Sequence, residues 1–314
     1  MEKRISVVIP TYRRPELLDR CLTALARQTI SGFPVIVVDD GNSPETQAVV
    51  DSFRRRELLD TEYISLPSPS GPSAARNTGW RKAITPYVAF TDDDCIPATD
   101  WIETLLRGHL QGSRVISGDV SVPLPAEASA YERVAAYLEK AEFVTANCSC
   151  ERALLEQTGG FDERFRLAWR EDSDLQFTFL SAGVCIDHWP ARVVHPIRPA
   201  RWWSSLRDER KNRFDALLRR KHPLLFRQRI PRYTGLVTLY YLFLMSFLAA
   251  TVLWILGEEN AAWAATVLWV VSVLLIAVQR QVRSVRELLV ALVSPFASVF
   301  WRLYGAIEFR IFYL

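Results

Sequence analysis

The chain has little of what several function classes require. Only five cysteines occur in its 314 residues (Cys21, Cys95, Cys148, Cys150 and Cys185), and no two stand in a C-x-x-C spacing. A disulfide framework and a paired-thiol zinc site are therefore excluded, and the cysteines are expected to be mostly buried small apolar residues. An excess of one charge is also missing: the formal net charge is +3, too mild for a nucleic-acid partner. There is no G-x-x-x-x-G-K-[ST] phosphate loop, no G-x-G-x-x-G after a strand and no Gly-x-Ser-x-Gly elbow, which disfavours a P-loop ATPase, a Rossmann dehydrogenase and a serine hydrolase. Internal repeats and low-complexity tracts are absent too. After Met1-Glu2-Lys3-Arg4, the run Ile5 to Ile9 is too short for the apolar part of a secretory signal, so the first domain is expected to stay in the cytoplasm.

What is present falls into two compositions that meet near residue 230. Before it, Ile5 to Ile9 and Pro34 to Val38 are short apolar runs ending at turn residues, the pattern of strands buried on both faces. Between them, Pro15 to Gln28 places Leu17, Leu18, Cys21, Leu22 and Leu25 at helical spacing behind a first-turn proline. The alternation continues with a helix over Pro44 to Arg56, a strand at Tyr63 to Leu66, a helix over Ala74 to Ala83 and a strand at Tyr87 to Phe90. This predicts an α/β fold with a mostly parallel sheet flanked by helices. Such sheets bind ligands at the carboxyl ends of their strands, where Pro10-Thr11-Tyr12, Asp39-Asp40-Gly41 and Asp92-Asp93-Asp94 fall.

The triplet Asp92-Asp93-Asp94 directly follows a predicted strand. Three adjacent carboxylates repel one another, and a divalent cation, Mg²⁺ or Mn²⁺, held through their oxygens would relieve that. A solvated acidic turn or a helix N-cap accounts for the triplet alone equally well.

Taken together, Val7 to Tyr12, Val37 to Asn42, Gly71 with Ala75-Arg76-Asn77-Thr78-Gly79, and Phe90 to Asp94, in that order, resemble glycosyltransferase family 2 with its GT-A fold. The resemblance runs from about Ile5 to Pro196. It implies that Pro10, Thr11, Tyr12 and Asp40 hold the nucleobase, with Asp39 contributing or bracing the turn. It also implies that Arg76 and Asn77 lie along the nucleotide, that Asp92 and Asp93 face the nucleotide sugar, and that Asp94 with Asp92 takes the cation. Some members add a histidine ligand where His195 stands. A carboxylate that accepts an imide proton, beside an aromatic ring, suits uracil, so a uridine donor is expected. Gly159 to Glu163 followed by Arg170-Glu171-Asp172-Ser173-Asp174 resembles the acceptor-side segment. Inverting transfer needs a base there: Asp172 is the candidate, Glu171 its support, and Asp174 a cap or solvent-facing residue on a helix entered at Ser173. Trp169 is expected to line the acceptor side or to pack in the core.

After residue 230, Thr234 to Leu256 and Ala261 to Val278 are long enough to cross a bilayer. Lys and Arg crowd both flanks, Arg201 to Arg232 and Arg280 to Arg286, while Gly257 to Asn260 has none. By the positive-inside rule both flanks are cytoplasmic. Leu288 to Leu314 is apolar but broken by Pro295 and carries Arg302, Glu308 and Arg310, so it is either a third span or an interfacial helix, the charges favouring the latter. Arg201-Trp202-Trp203 to Pro223 reads as a basic interfacial segment that meets anionic lipid. The Gln-x-x-Arg-Trp motif of processive family members is absent, which argues against polymer synthesis. The expected organisation is a catalytic domain over 1–200, a basic segment over 201–232 and a membrane region over 233–314. The expected activity is transfer of one sugar from a nucleoside-diphosphate sugar to a lipid-linked or glycan acceptor at the membrane. A polyprenyl-phosphate glycosyl synthase and a non-catalytic nucleotide-sugar-binding subunit are the alternatives.

Overall fold

The structure, a computed structural model, describes residues 4–197, 201–230 and 234–311. Met1 to Lys3, the expected domain end at 198–200, Arg232 with its neighbours and the last three residues lie outside these. Two compact units form: Met1–Pro125 with Ala135–Ile197, and Ala126–Val134 with Arg198–Leu314.

The first unit is an eight-stranded sheet covered by helices on both faces. In chain order it contains β1 (Ile5–Thr11), α1 (Pro15–Leu25), β2 (Pro34–Asp39), α2 (Pro44–Arg55), β3 (Asp60–Ser65), α3 (Pro72–Lys82), β4 (Tyr87–Thr91), β5 (Ile96–Pro97), α4 (Trp101–Leu110) and β6 (Val115–Ser121). After α5 (Ala130–Ala135), which straddles the two units, come β7 (Asn147–Glu151), α6 (Arg152–Thr158), α7 (Glu171–Ser181) and β8 (Asp187–Val194). The strand order is β3-β2-β1-β4-β7-β6-β8-β5. The sheet is parallel from β3 through β4, and β7 then joins β4 and β6 antiparallel. Alternation along the strands divides the core. Ile5, Val7, Ile9, Val35 and Val37 face one cluster with α1, α2 and α4, while Val8, Ile36 and Val38 face the other with α3, α6 and α7. Each such side chain stabilises the fold by roughly 1.5–3 kcal/mol on burial. Prolines start α1, α2 and α3, where the missing N–H is harmless, and Ser43 accepts from the Thr46 N–H at 3.3 Å to cap α2.

The second unit holds α8 (Ser204–Asp208), α9 (Arg213–Lys221), α10 (Pro223–Arg229), α11 (Thr234–Leu256), α12 (Glu259–Gln279) and α13 (Val285–Glu308). Three of these are long and apolar enough to cross a membrane: α11 from Gly235, α12 and α13. α11 and α12 form a hairpin turned at Gly257 (φ +76°), where Trp254 and Trp263 meet edge to face at 5.3 Å. The third stretch begins earlier than expected, at Val285, where Ser284 accepts from the Glu287 N–H at 3.3 Å. It runs unbroken past Pro295, which costs one backbone rung but sits buried beside Ser294 and Ser298.

Candidate active site

The acids gather where β1 and β4 lie side by side, because β1 is flanked by β2 and β4 in the sheet and the connections diverge there, opening a crevice at the carboxyl ends. Thr11 ends β1 and donates through Oγ1 to Asp93 Oδ2 at 2.7 Å. Arg14, one residue before α1, donates to Asp93 Oδ1 at 2.9 Å and reaches Asp94 Oδ2 at 3.5 Å. Asp93 therefore points down into the fold, 2% exposed. Burial pushes its carboxyl up to about 6, aided by Asp94 and Asp92 and opposed by Arg14 and Thr11.

Asp94 and His195 are brought together by the short pairing of β5 with β8. Ile96 sits opposite Val194, so the residue two before one and the residue just after the other become neighbours. His195 Nε2 lies 3.5 Å from Asp94 Oδ1, and these atoms with Cys95 Sγ fall within 4.8 Å of one another. The donor set suits a hard divalent cation through carboxylate and imidazole. Cys95 is a poor third ligand for such an ion, since burial and then the neighbouring acids raise its thiol well above the usual range.

Asp92 turns the other way, toward Arg76. Arg76 Nη2 donates to Asp92 Oδ1 at 2.7 Å, and Nη1 reaches Glu171 Oε1 at 3.4 Å from a guanidinium only 3% exposed. Burial would raise the Asp92 carboxyl, but Arg76, His195 and Arg14 together hold it below the ordinary value. Arg76 thus ties the end of β4 to the start of α7.

Asn77 is likewise held by neighbouring residues. Its Nδ2 donates to the Phe161 carbonyl and to Glu163 Oε1, both at 2.8 Å, and its Oδ1 accepts from Trp80 Nε1 at 2.8 Å and from the Phe161 N–H at 2.9 Å. With every site on the amide used, Asn77 staples the turn at 159–163 onto α3. Gly160 (φ +70°) lies so close that a Cβ there would sit 2.6 Å from Trp80 Nε1 and 2.7 Å from Asn77 Oδ1.

The two acids after β2 have different duties. Asp39 is fully buried and accepts from the N–H groups of Gly41 (2.8 Å) and Ser43 (2.7 Å) and from the Tyr63 hydroxyl (2.9 Å). It braces the turn. Asp40 accepts from the N–H groups of Ser70 (2.6 Å) and Gly71 (2.9 Å), one on each oxygen, so each oxygen keeps a lone pair free. Pro10 is half-buried and Tyr12 is 40% exposed at the same edge, with the Arg13 guanidinium 5.4 Å from the Tyr12 ring centre.

On the acceptor side, α7 begins at Glu171, not at Ser173, and Asp174 is buried instead of facing solvent. Asp172 stands half-buried in the first turn and accepts from Thr145 Oγ1 at 2.6 Å. Burial raises its carboxyl while Arg76 and Thr145 pull it back. Glu171 is pushed up to about 8, by burial first and then by the charge of Asp172, against Arg76. Trp169 is half-buried, with the Arg170 guanidinium 4.7 Å over its ring.

Sequence reading missed Arg14, Thr145 and the place of Cys95 beside the cation pair. Arg14 stands three residues after the strand-ending Thr11, a spacing that allows it to return to the strand end, but its partners are about eighty residues away. Nothing in the sequence marks Thr145.

Residues 6–147 match the family model described as Glycosyl transferase family 2. A pre-mycofactocin glycosyltransferase of Mycobacterium tuberculosis is 32% identical over 207 residues, which cover 60% of this chain and 42% of that protein. A GalNAc(5)-diNAcBac-PP-undecaprenol beta-1,3-glucosyltransferase of Campylobacter jejuni is 26% identical over 116 residues, 37% of this chain and 38% of the other. The matches thus span less than half the length of these relatives. Among solved structures, the mannosyltransferase PcManGT from Pyrobaculum calidifontis, in complex with GDP-Man and Mn²⁺, superposes with a TM-score of 0.57 at 16% identity, covering 99% of this chain and 88% of that one. At that identity the likeness is one of fold.

Proposed function

This chain belongs to glycosyltransferase family 2 through the domain in residues 6–147, and from that premise we propose that it is an inverting transferase that moves a single sugar from a nucleoside-diphosphate donor to a lipid-linked or membrane-proximal acceptor. The observation that carries the reading is the bridge made by Arg76 between Asp92, at the end of β4, and Glu171, beside Asp172 at the start of α7. A donor-facing acid and an acceptor-facing acid are held in one crevice by one buried cation.

In this reading the nucleobase lies along Pro10, Thr11 and Tyr12, with Asp40 accepting from its imide through a free lone pair, which favours uracil. Asp94 and His195, with Asp92 nearby, hold Mg²⁺ or Mn²⁺. Such an ion, when bound, neutralises the charge that grows on the departing diphosphate. Asp172 takes the proton of the acceptor hydroxyl as its oxygen attacks the anomeric carbon. The bond from that carbon to the diphosphate breaks on the opposite face, so configuration inverts, and the nucleoside diphosphate leaves. Glu171 supports Asp172 or orients the acceptor.

The acceptor assignment draws on the C. jejuni relative, whose name specifies a glycan on undecaprenyl diphosphate, and on the apolar helices of the second unit. The Lys- and Arg-rich flanks of α11 and α12 support a cytoplasmic side for the catalytic domain under the positive-inside rule.

The test is release of nucleoside diphosphate by the detergent-purified chain from UDP-, GDP- and dTDP-sugars, with and without Mn²⁺ or Mg²⁺ and with either polyprenyl phosphate or a lipid-linked saccharide. Metal-dependent turnover on a UDP-sugar with the saccharide supports the reading. Turnover only on polyprenyl phosphate replaces the acceptor, and no turnover with any pair overturns it.

A further inference from the structure

Length and apolar composition make α13 a third membrane span, but its contacts within the second unit do not. The decisive residue is Ser298, thirteen positions beyond the start of α13 at Val285. In a helix that crossed the bilayer it would lie about 20 Å below the membrane surface at which α12 ends, at 1.5 Å per residue. Instead Ser298 lies beside Glu209, which sits between α8 and α9 and faces the guanidinium groups of Arg302 and of Arg280, the residue that caps the end of α12. Asn212 Nδ2 joins the same group, donating to Glu209 Oε2 at 2.6 Å and reaching Ser298 Oγ at 3.4 Å. The Tyr240 hydroxyl of α11 accepts from Arg280 Nη1 at 2.5 Å and lies near Ser294. The middle of α13 is thus level with the end of α12.

Further along, α13 stays with the basic helices. Arg302 reaches Asp215 of α9 at 3.7 Å, Arg213 reaches Glu308 at 4.0 Å, and Arg220 donates to the Phe309 carbonyl at 2.7 Å. Gly305 lies against the backbone of Arg213, where a Cβ would approach its carbonyl oxygen to 2.4 Å. A spanning α13 would drag Arg213, Arg219, Arg220 and Lys221 to bilayer depth, at several kcal/mol each. On α11 its aromatic contacts lie near the helix middle, with Phe296 5.5 Å from Phe243 and 5.9 Å from Phe247.

The opposite side of α13 is an apolar stripe at helical spacing. Leu289, Val293, Phe296, Phe300 and Ile307 are all exposed. We infer that α13 lies flat in the membrane surface, with this stripe set in the acyl layer and α8 and α9 stacked on its polar side, so that the chain crosses the bilayer twice, not three times. The occupant of the stripe is lipid, because the stripe continues the exposed apolar surfaces of α11 and α12 and the face behind it carries the charge network at headgroup level.

A depth profile tests this. The full chain carries Cys185→Ser, which removes the exposed thiol and leaves the four buried ones, and in turn Leu289→Cys, Phe296→Cys or Ile307→Cys. Each is spin-labelled in vesicles of phosphatidylethanolamine and phosphatidylglycerol. The expected result is one shallow depth for all three, within about one helical turn of 5 Å. A Phe296 label about 10 Å deeper than the Leu289 label, as a span requires, overturns the inference. Spin–spin broadening between copies, without lipid contact, also overturns it by giving the stripe to a second chain. An impermeant maleimide gives an independent reading. Arg310→Cys is expected to react from the same face as Lys221→Cys and opposite to Glu258→Cys, and reaction from the Glu258 face overturns the assignment.

Discussion

Arg76 donates to Asp92 at 2.7 Å from a guanidinium that is all but closed to solvent. Removing one partner of a buried pair leaves the other charge uncompensated, at about 3–5 kcal/mol. Arg76→Ala is therefore expected to lower stability by that amount, read as the melting temperature of the detergent-solubilised chain. Arg76→Lys, which keeps the charge but not the two-pronged reach, is expected to fall between. A loss below about 1 kcal/mol for the alanine variant would show that the bridge is not a structural tie.

The cation pair makes an ordered prediction. Asp94→Asn removes a charged ligand and is expected to raise the Mn²⁺ concentration for half-maximal nucleoside diphosphate release about tenfold or more, whereas His195→Ala, which removes a neutral one, raises it less. The same ranking is expected in the thermal shift that Mn²⁺ produces without donor. Equal metal response in wild type and Asp94→Asn would remove Asp94 from the site.

Asp172→Asn is expected to lower kcat by roughly 10²–10⁴ with the donor KM unchanged, the signature of a lost base. Thr145→Val gives a finer reading. The Thr145 hydroxyl lowers the Asp172 pKa, so its loss is expected to move the acid limb of the pH–rate profile toward higher pH. A shift the other way, or a raised donor KM alone, contradicts the assignment.

Glu171 makes stability depend on pH. Its folded pKa of about 8 stands above the ordinary 4.5, so between those values the native chain holds a proton that the unfolded chain releases. The resulting stabilisation is complete below about 4.5 and is lost as pH rises through about 8. Wild type is therefore expected to lose melting temperature relative to Glu171→Gln across that window. A constant difference between the two would mean that Glu171 titrates as an exposed acid does.

The elements of the nucleotide side were legible because their signals are local. Apolar runs ending in Thr11, Asp39 and Thr91 mark strands by composition alone, and first-turn prolines mark α1, α2 and α3. What each acid does was not legible. Asp39 and Asp40 are identical neighbours, and only the turn that wraps Asp39 with the Gly41 and Ser43 N–H groups separates them. The contacts that Arg76 and Asn77 make with Glu171 and Phe161 were not legible, because those partners are more than eighty residues away. α13 was ambiguous in another way: its apolar residues satisfy any count for a span, its charges favoured an interfacial helix, and the contacts that bear on the choice reach a segment some ninety positions earlier.

The junction of β4 with β7, where the sheet turns from parallel to antiparallel, also divides the crevice by ancestry of parts. The residues assigned to the donor, His195 apart, precede β7 in the chain, and Asp172 and Glu171 follow it. A change of acceptor can therefore arise by exchanging one contiguous stretch of gene, roughly 152–195, leaving the donor residues before the junction untouched. Chimaeras cut at β7 would inherit the donor from one parent and the acceptor from the other, provided that the graft supplies a glutamate for Arg76 and a histidine for Asp94.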